Sequence, residues 1–239
     1  MMAVPRRERT VRHIKLVVFD LDGTLIDAYA AVEQSVNHVM RRLGLRRVGK
    51  RRIVRAVGWG ERHLLSQFVP APDLAQAAAL YRRHHVRALK NGAKLLPGSL
   101  RLLKQLKQEG YRLAVASNRA TRFSRLILRN LEIDGYFCCI LCRDKVERPK
   151  PFPDILLGII GKLRIQPEET LFVGDMTVDM QAGQRAGICT VAVTTGSSTK
   201  KELQRFEPLA VIPRIYQTLK VLKGLDAGFP KGFKYKYRK

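Results

Sequence analysis

Two carboxylates two residues apart, Asp20 and Asp22, directly follow the apolar run Leu16-Val17-Val18-Phe19. On an extended backbone residues i and i+2 share a face, so both acids project to one side of a strand end. Gly23 permits a sharp turn after them, and Thr24 is placed to cap or begin the next element. Burying neighbouring anions is costly unless a cation or a bound substrate compensates them. A packing role alone would not keep such a pair.

Three further stretches carry groups of complementary chemistry. Ser117-Asn118 ends an apolar run and leads into a helix, whose first-turn amides can hold a phosphate. In Lys150-Pro151-Phe152-Pro153-Asp154 a lysine is stiffened by two prolines just before a helix. Gly174-Asp175 ends another apolar run, with Asp179 four residues on. Carboxylates from separate strands meeting at one point suit a hard divalent cation such as Mg²⁺, which takes few protein oxygens and keeps waters. A hydroxyl and a lysine beside it suit a phosphoryl group. Taken singly, each is ordinary: a turn, a solvated lysine, a helix cap. Their order, each at its own strand end, carries the reading.

Periodicity indicates the elements that must position them. Residues 30–43 have apolar positions at helical spacing, and residues 41–55 hold eight basic residues and no acid. Val57-Gly58-Trp59-Gly60 breaks the pattern before a helix over 61–68. Pro70 and Pro72 frame a turn, and Asp73 is the expected N-cap of a helix over 74–89. Residues 28–95 thus read as a helical insertion with no strand of its own. Helices are then expected over 99–109, 121–131, 153–163, 178–186 and 215–222. Short buried strands are expected over 111–116, 136–141, 170–173, 189–193 and 209–212. Such β-α repetition predicts an α/β fold with a doubly wound parallel sheet and right-handed crossovers, its ligand site beyond the carboxyl ends of the strands. The expected division is a discontinuous core of 1–27 and 96–227, the insertion at 28–95, and a basic-aromatic tail at 228–239.

The pattern Asp-x-Asp-Gly-Thr-Leu-x-Asp at 20–27 resembles the first motif of the haloacid dehalogenase-like hydrolase superfamily, most of whose members are phosphatases. Matches to the later motifs occur in order across about residues 14–225. The resemblance implies a Rossmann-like core with a small helical cap, and a role for each matched residue. Asp20 is the nucleophile and a metal ligand. Asp22 is the general acid and base and lends its backbone carbonyl to the metal. Ser117, with the amide of Asn118, holds a phosphate oxygen. Lys150 screens charge between nucleophile and phosphate. Asp175 binds Mg²⁺, and Asp179 acts through water or orients Lys150. Aspartate at position 22 is absent from the dehalogenase and phosphonatase branches, so phosphate-ester hydrolysis is implied or, less often, phosphoryl transfer by a sugar phosphomutase. The insertion resembles the cap of the phosphoglycolate phosphatase and β-phosphoglucomutase group. Residues 57–62 fall where that group places its specificity loop, making Trp59 and Arg62 candidates; the alternative is a connecting turn with Trp59 packed as core. Arg119 either touches substrate or begins a helix.

Composition bounds the partners. The 239 residues include 45 basic and 20 acidic ones, a net charge of +25. That field attracts phosphate-bearing molecules of any size, and the expected partner is a small phosphorylated substrate. Nucleic acid is the weaker alternative, suggested by residues 41–55 and by Phe233, Tyr235 and Tyr237 alternating with cations, a pattern that an added edge strand would share. A solvated basic surface accounts for both runs. No apolar run approaches a membrane span, and the four cysteines (Cys138, Cys139, Cys142, Cys189) suit a reducing compartment, so a cytoplasmic location is expected. Cys139 and Cys142 lack a second pair for zinc and read as core residues on opposite faces of a strand.

Overall fold

The computed structural model describes residues 7–9, 13–226 and 235–237. In chain order come β1 (Arg7–Arg9), β2 (Leu16–Phe19), β3 (Ile26–Asp27), α1 (Tyr29–Arg42), α2 (Lys50–Ala56), α3 (Glu61–Ser66), α4 (Leu74–Gly92) and β4 (Lys94–Leu95). The middle of the chain gives α5 (Ser99–Gln108), β5 (Arg112–Ser117), α6 (Thr121–Asn130), β6 (Cys139–Cys142), α7 (Asp154–Leu163), β7 (Thr170–Gly174) and α8 (Thr177–Ala186). The chain closes with β8 (Cys189–Val193), α9 (Lys200–Gln204), β9 (Ala210–Ile212), α10 (Thr218–Asp226) and β10 (Tyr235–Tyr237).

All four residues of β2 are apolar because both faces of this strand are covered. Val17 and Phe19 pack into one cluster with Leu103 of α5 and Ile127 of α6. Leu16 and Val18 face the other cluster, with Ile155 of α7 and Ala182 of α8. The parallel sheet runs β6-β5-β2-β7-β8-β9. From β2 the chain steps outward through β5 and β6, then returns to β7 on the other side. The switch point of this doubly wound α/β sheet therefore lies beside the end of β2. Phe19 pairs with Val115 on one side and Val173 on the other. Asp20 consequently stands level with Ala116, one residue short of the end of β5, and with Gly174, the last residue of β7.

Residues 29–92 form α1 to α4, which bury a separate apolar cluster including Val36, Val39, Ile53, Leu65 and Tyr81. Three local expectations need correction. The insertion does carry a strand: β4 pairs antiparallel with β3, Ile26 opposite Leu95 and Asp27 opposite Lys94. Two residues are too few for any alternation to show. Asp73 makes no side-chain cap on α4; a 3₁₀ turn over Ala71–Asp73 leads into that helix instead. The strand expected at 136–141 starts later, because pairing with β5 begins only at Cys139 opposite Ala114, after a 3₁₀ turn at Asp134–Tyr136.

The cysteines are unpaired. Cys139 sits with the α7 side of the sheet, while the Cys142 thiol meets Ser124 Oγ of α6 at 3.4 Å. All eight basic residues of the 41–55 stretch are exposed. Residues 7–9 pair antiparallel with 235–237. Phe233 and the other tail residues at 227–234 and 238–239 lie outside the described residues.

Candidate active site

Three carboxylates collect where β2 and β7 end: Asp20, Asp175 and Asp179, each buried and each offering an oxygen within 4.8 Å of the others. A lysine stands among them. Lys150 donates from Nζ to Asp20 Oδ1 at 2.6 Å, to Asp179 Oδ1 at 2.7 Å and to the carbonyl of Ala116 at 2.8 Å, which uses its whole donor capacity. Asp179 also accepts the backbone N–H of Met176 at 2.9 Å, which fixes it at the start of α8.

Asp175 is held by neutral donors. Its Oδ1 accepts from the Thr24 hydroxyl at 2.9 Å and its Oδ2 from the Ser197 N–H at 3.1 Å. Thr24 thus serves a carboxylate 151 residues away rather than capping the next helix. Asp27 does that work, accepting the Tyr29 N–H at 3.1 Å. Gly23 turns with a positive φ of 84°, and a side chain there would lie 2.6 Å from Asp175 Oδ2.

The electrostatics record a shortage of positive charge. Burial pushes Asp20 up to about 7 even though Lys150 pulls the other way. Burial, then the negative charges of Asp20 and Asp179, hold Asp175 well above the usual carboxylate range. Burial opposes the charge on Lys150, but Asp179 and Asp20 outweigh it and raise its pKa. Beside Asp175 the buried hydroxyls of Tyr29 and Ser197 have no hydrogen-bond partner among the described residues. Hard oxygens, surplus negative charge and spare polar atoms make a donor set that fits a divalent cation.

At the end of β5, Ser117 Oγ accepts the Arg119 N–H at 3.1 Å. The Asn118 side chain is a staple. It donates to the carbonyls of Lys150 at 2.7 Å and Gly58 at 2.8 Å, and accepts the Lys150 N–H at 3.0 Å. Asn118 thereby ties the lysine loop and the insertion to one point. Arg119 settles as neither bare helix start nor free side chain. Its Nε and Nη2 clasp Asp22 at 2.8 and 2.7 Å, and its Nη1 meets His85 Nε2 of α4 at 2.7 Å.

A cavity of about 330 Å³ opens between these strand ends and the insertion. Asp20, Asp22, Ser117 and Lys150 line it, and so do Arg62 of the insertion and Arg143 of the core. Trp59 is 42% exposed and is not among the lining residues, so the reading of it as core is overturned. Its loop contributes Val57, Gly58, Gly60, Glu61 and Arg62 to the wall. Sequence reasoning missed His85, Tyr81 and Met176. A signal existed for the first two: with Ala77, Ala78, Ala88 and Leu89 they lie on the buried stripe of α4, where a histidine is out of place.

The chain matches the family model described as haloacid dehalogenase-like hydrolase over residues 17–193. It is 30% identical over 218 residues to a phosphoglycolate phosphatase of Nitrosospira multiformis, covering 88% of this chain and 96% of that one. A phosphoglycolate phosphatase of Aquifex aeolicus is 32% identical over 183 residues, 77% of this chain and 86% of that one. Among solved structures, a predicted phosphoglycolate phosphatase from Haemophilus somnus superimposes with a TM-score of 0.83 at 26% identity, covering 88% and 98% of the two chains. The matched span runs from β2 to β8 and so takes in every strand end from which the carboxylates and the lysine converge. The chain belongs to the haloacid dehalogenase-like hydrolase family.

Proposed function

We propose that this protein is a Mg²⁺-dependent phosphatase of a small, phosphoglycolate-like monoester, working through an aspartyl-phosphate on Asp20. The observation that carries the reading is the Lys150 ammonium bridging Asp20 and Asp179 beside Asp175, at the sheet's switch point. Asp20, Asp175 and the backbone carbonyl of Asp22 would hold the cation, with Asp179 nearby. When bound, it keeps the carboxylates ionised and offsets the charge of the phosphate.

The protein groups divide the work. Ser117 and the Asn118 amide orient the phosphate oxygens. Lys150 screens the approach of one anion to another. A carboxylate oxygen of Asp20 forms a bond to phosphorus as the ester P–O bond breaks, and Asp22 gives its proton to the departing alkoxide. Asp22, now a carboxylate, takes a proton from water. The water oxygen attacks phosphorus, the bond to Asp20 breaks, and inorganic phosphate leaves with Asp20 restored. Residues 28–95 act as the cap, and Arg62 reads the part of the substrate that does not react. The cavity suits a small ester, and the arginines in its lining suit an anionic substituent. Unpaired cysteines support a reducing, cytoplasmic setting. No helix among the described residues is long and apolar enough to cross a membrane.

Assaying hydrolysis across a panel of phosphate esters, with Mg²⁺ and after chelation, tests the reading. Phosphoglycolate is expected among the best substrates, with phosphate release lost on chelation. Release of no phosphate from any ester in saturating Mg²⁺, or undiminished release without metal, would overturn it.

A further inference from the structure

Resting on the phosphatase reading, we propose that His85 is a positioning residue for the general acid and base Asp22, acting through Arg119. The donor logic of the cluster leaves one arrangement. A guanidinium only donates, so the His85 Nε2 that meets Arg119 Nη1 at 2.7 Å carries no proton. Tyr81 Oη, at 3.2 Å, donates to the same nitrogen. The ring proton is therefore on Nδ1, which faces Ser35 Oγ at 2.9 Å; the Ser35 hydroxyl in turn donates to the carbonyl of Ala31 at 2.8 Å, so the Nδ1 of His84, 3.2 Å from the same oxygen, is a second donor to it. One directed chain runs from Arg119 through His85 and Ser35 into the backbone of α1.

The surroundings hold this state. His85 and Ser35 are fully buried. Tyr81 stacks on the imidazole at 4.5 Å between centroids, and Phe123 meets it edge-on at 5.1 Å. Burial, then the charge of Arg119, hold the imidazole neutral, its pKa pushed down to about 2. Burial also works against the charge on Arg119, but Asp22 outweighs it. The guanidinium occupies one lone pair on each oxygen of Asp22, which leaves the other free to carry the proton, and its remaining Nη1 goes to His85. Without that acceptor a buried donor goes unsatisfied, and the guanidinium turns to find another partner. The fork then leaves Asp22, whose proton must travel toward one particular oxygen. His85 belongs to α4, whereas Asp22 and Arg119 belong to the core, so the fork is complete only with the two layers in contact.

The departing group supplies the test. An alkyl ester such as phosphoglycolate needs its leaving oxygen protonated, whereas p-nitrophenyl phosphate leaves as a stable phenolate and needs little help. The readout is the ratio of kcat/KM on the two esters in the full-length enzyme. His85→Phe keeps a ring but removes the acceptor. It is expected to lose ~10- to 100-fold more on phosphoglycolate than on p-nitrophenyl phosphate, since misplacement by about 1 Å costs roughly 10². His85→Gln, which returns an acceptor oxygen, is expected to recover most of the ratio. Ser35→Ala frees the tautomer without touching the ring and is expected to shift the ratio the same way, so the idea stands testable even where His85→Phe fails to fold. In an Arg119→Met background, His85→Phe should have no further effect on the ratio. Equal losses on both esters, a Gln variant no better than Phe, or additive effects with Arg119→Met would each overturn the inference. A wild-type enzyme that hydrolyses neither ester defeats the phosphatase reading; one that hydrolyses both while the ratio stays put defeats only the role of His85.

Discussion

Asp20 and Lys150 sit 2.6 Å apart, yet their removal should have opposite consequences for the fold. Asp20 is one of three buried carboxylates sharing a single ammonium, and burial raises its pKa to about 7. Asp20→Asn keeps the shape and removes one surplus charge. Hydrolysis should fall to background while the melting temperature of the metal-free protein, read at pH 8, holds or rises. Lys150→Met removes the cation that, among the described residues, bonds to the cluster. It leaves buried carboxylates uncompensated, a change that typically costs about 3–5 kcal/mol. Chemical denaturation of the two variants side by side would show the contrast. A more stable Lys150→Met than Asp20→Asn would mean that the cluster is not short of positive charge.

At the scale of elements, the loops after the strands matter as much as the strands. Gly196, in the loop after β8, lies so close that a β-carbon there would overlap the carboxylate of Asp175. Gly196→Ala must therefore displace either the loop or the carboxylate. The expected outcome is weaker Mg²⁺ dependence, seen as a higher metal concentration for half-maximal activity, with the secondary structure unchanged by circular dichroism. The loop between α2 and α3 offers a second contrast. Arg62 lines the cavity and Trp59 does not. Arg62→Ala should change the ranking of phosphate esters by about tenfold, the scale of a lost charged contact at ~1.5–3 kcal/mol less partial solvation. Trp59→Ala should leave that ranking in place, and kcat/KM across the ester panel would show it.

For the molecule as a whole, the cluster makes stability depend on pH and metal together. Asp20 and Asp175 have folded pKa values raised above their unfolded ones, so between about pH 4 and 7 these two groups bind more protons in the folded state. Their contribution to stability falls as pH rises through that window, while that of His85, held neutral, rises. Compared with Asp20→Asn, in which the histidines are unchanged, the metal-free protein should therefore lose more melting temperature, or gain less, between pH 5 and pH 7. Saturating Mg²⁺ replaces the protons and binds the folded state, so that difference should shrink or vanish. The same pH dependence in the two proteins without metal, or a melting temperature blind to Mg²⁺ at pH 7, would contradict this linkage. The net charge of +25 lies elsewhere, largely on exposed side chains such as those of residues 41–55.

The chain's own order of residues determined the fold class and the floor of the site. Short apolar runs such as Leu16–Phe19 can only be strands covered on both faces, and the polar residues that come after them must then gather at one edge of a parallel sheet. Asp20, Ser117, Lys150 and Asp175 were legible for that reason. What the tertiary structure alone decided are pairings between elements far apart in the chain. Thr24 reaches Asp175, Asn118 staples the Gly58 and Lys150 loops, Arg119 clasps Asp22, and His85 holds Arg119. Local periodicity says which face of α4 is buried but not what the buried histidine meets. The short β3–β4 ribbon escaped notice for a related reason: two residues pair only because the two chain crossings into the insertion run side by side. Which side chains meet is set by how helices and strands pack together, and packing is a property of the whole fold rather than of any one stretch.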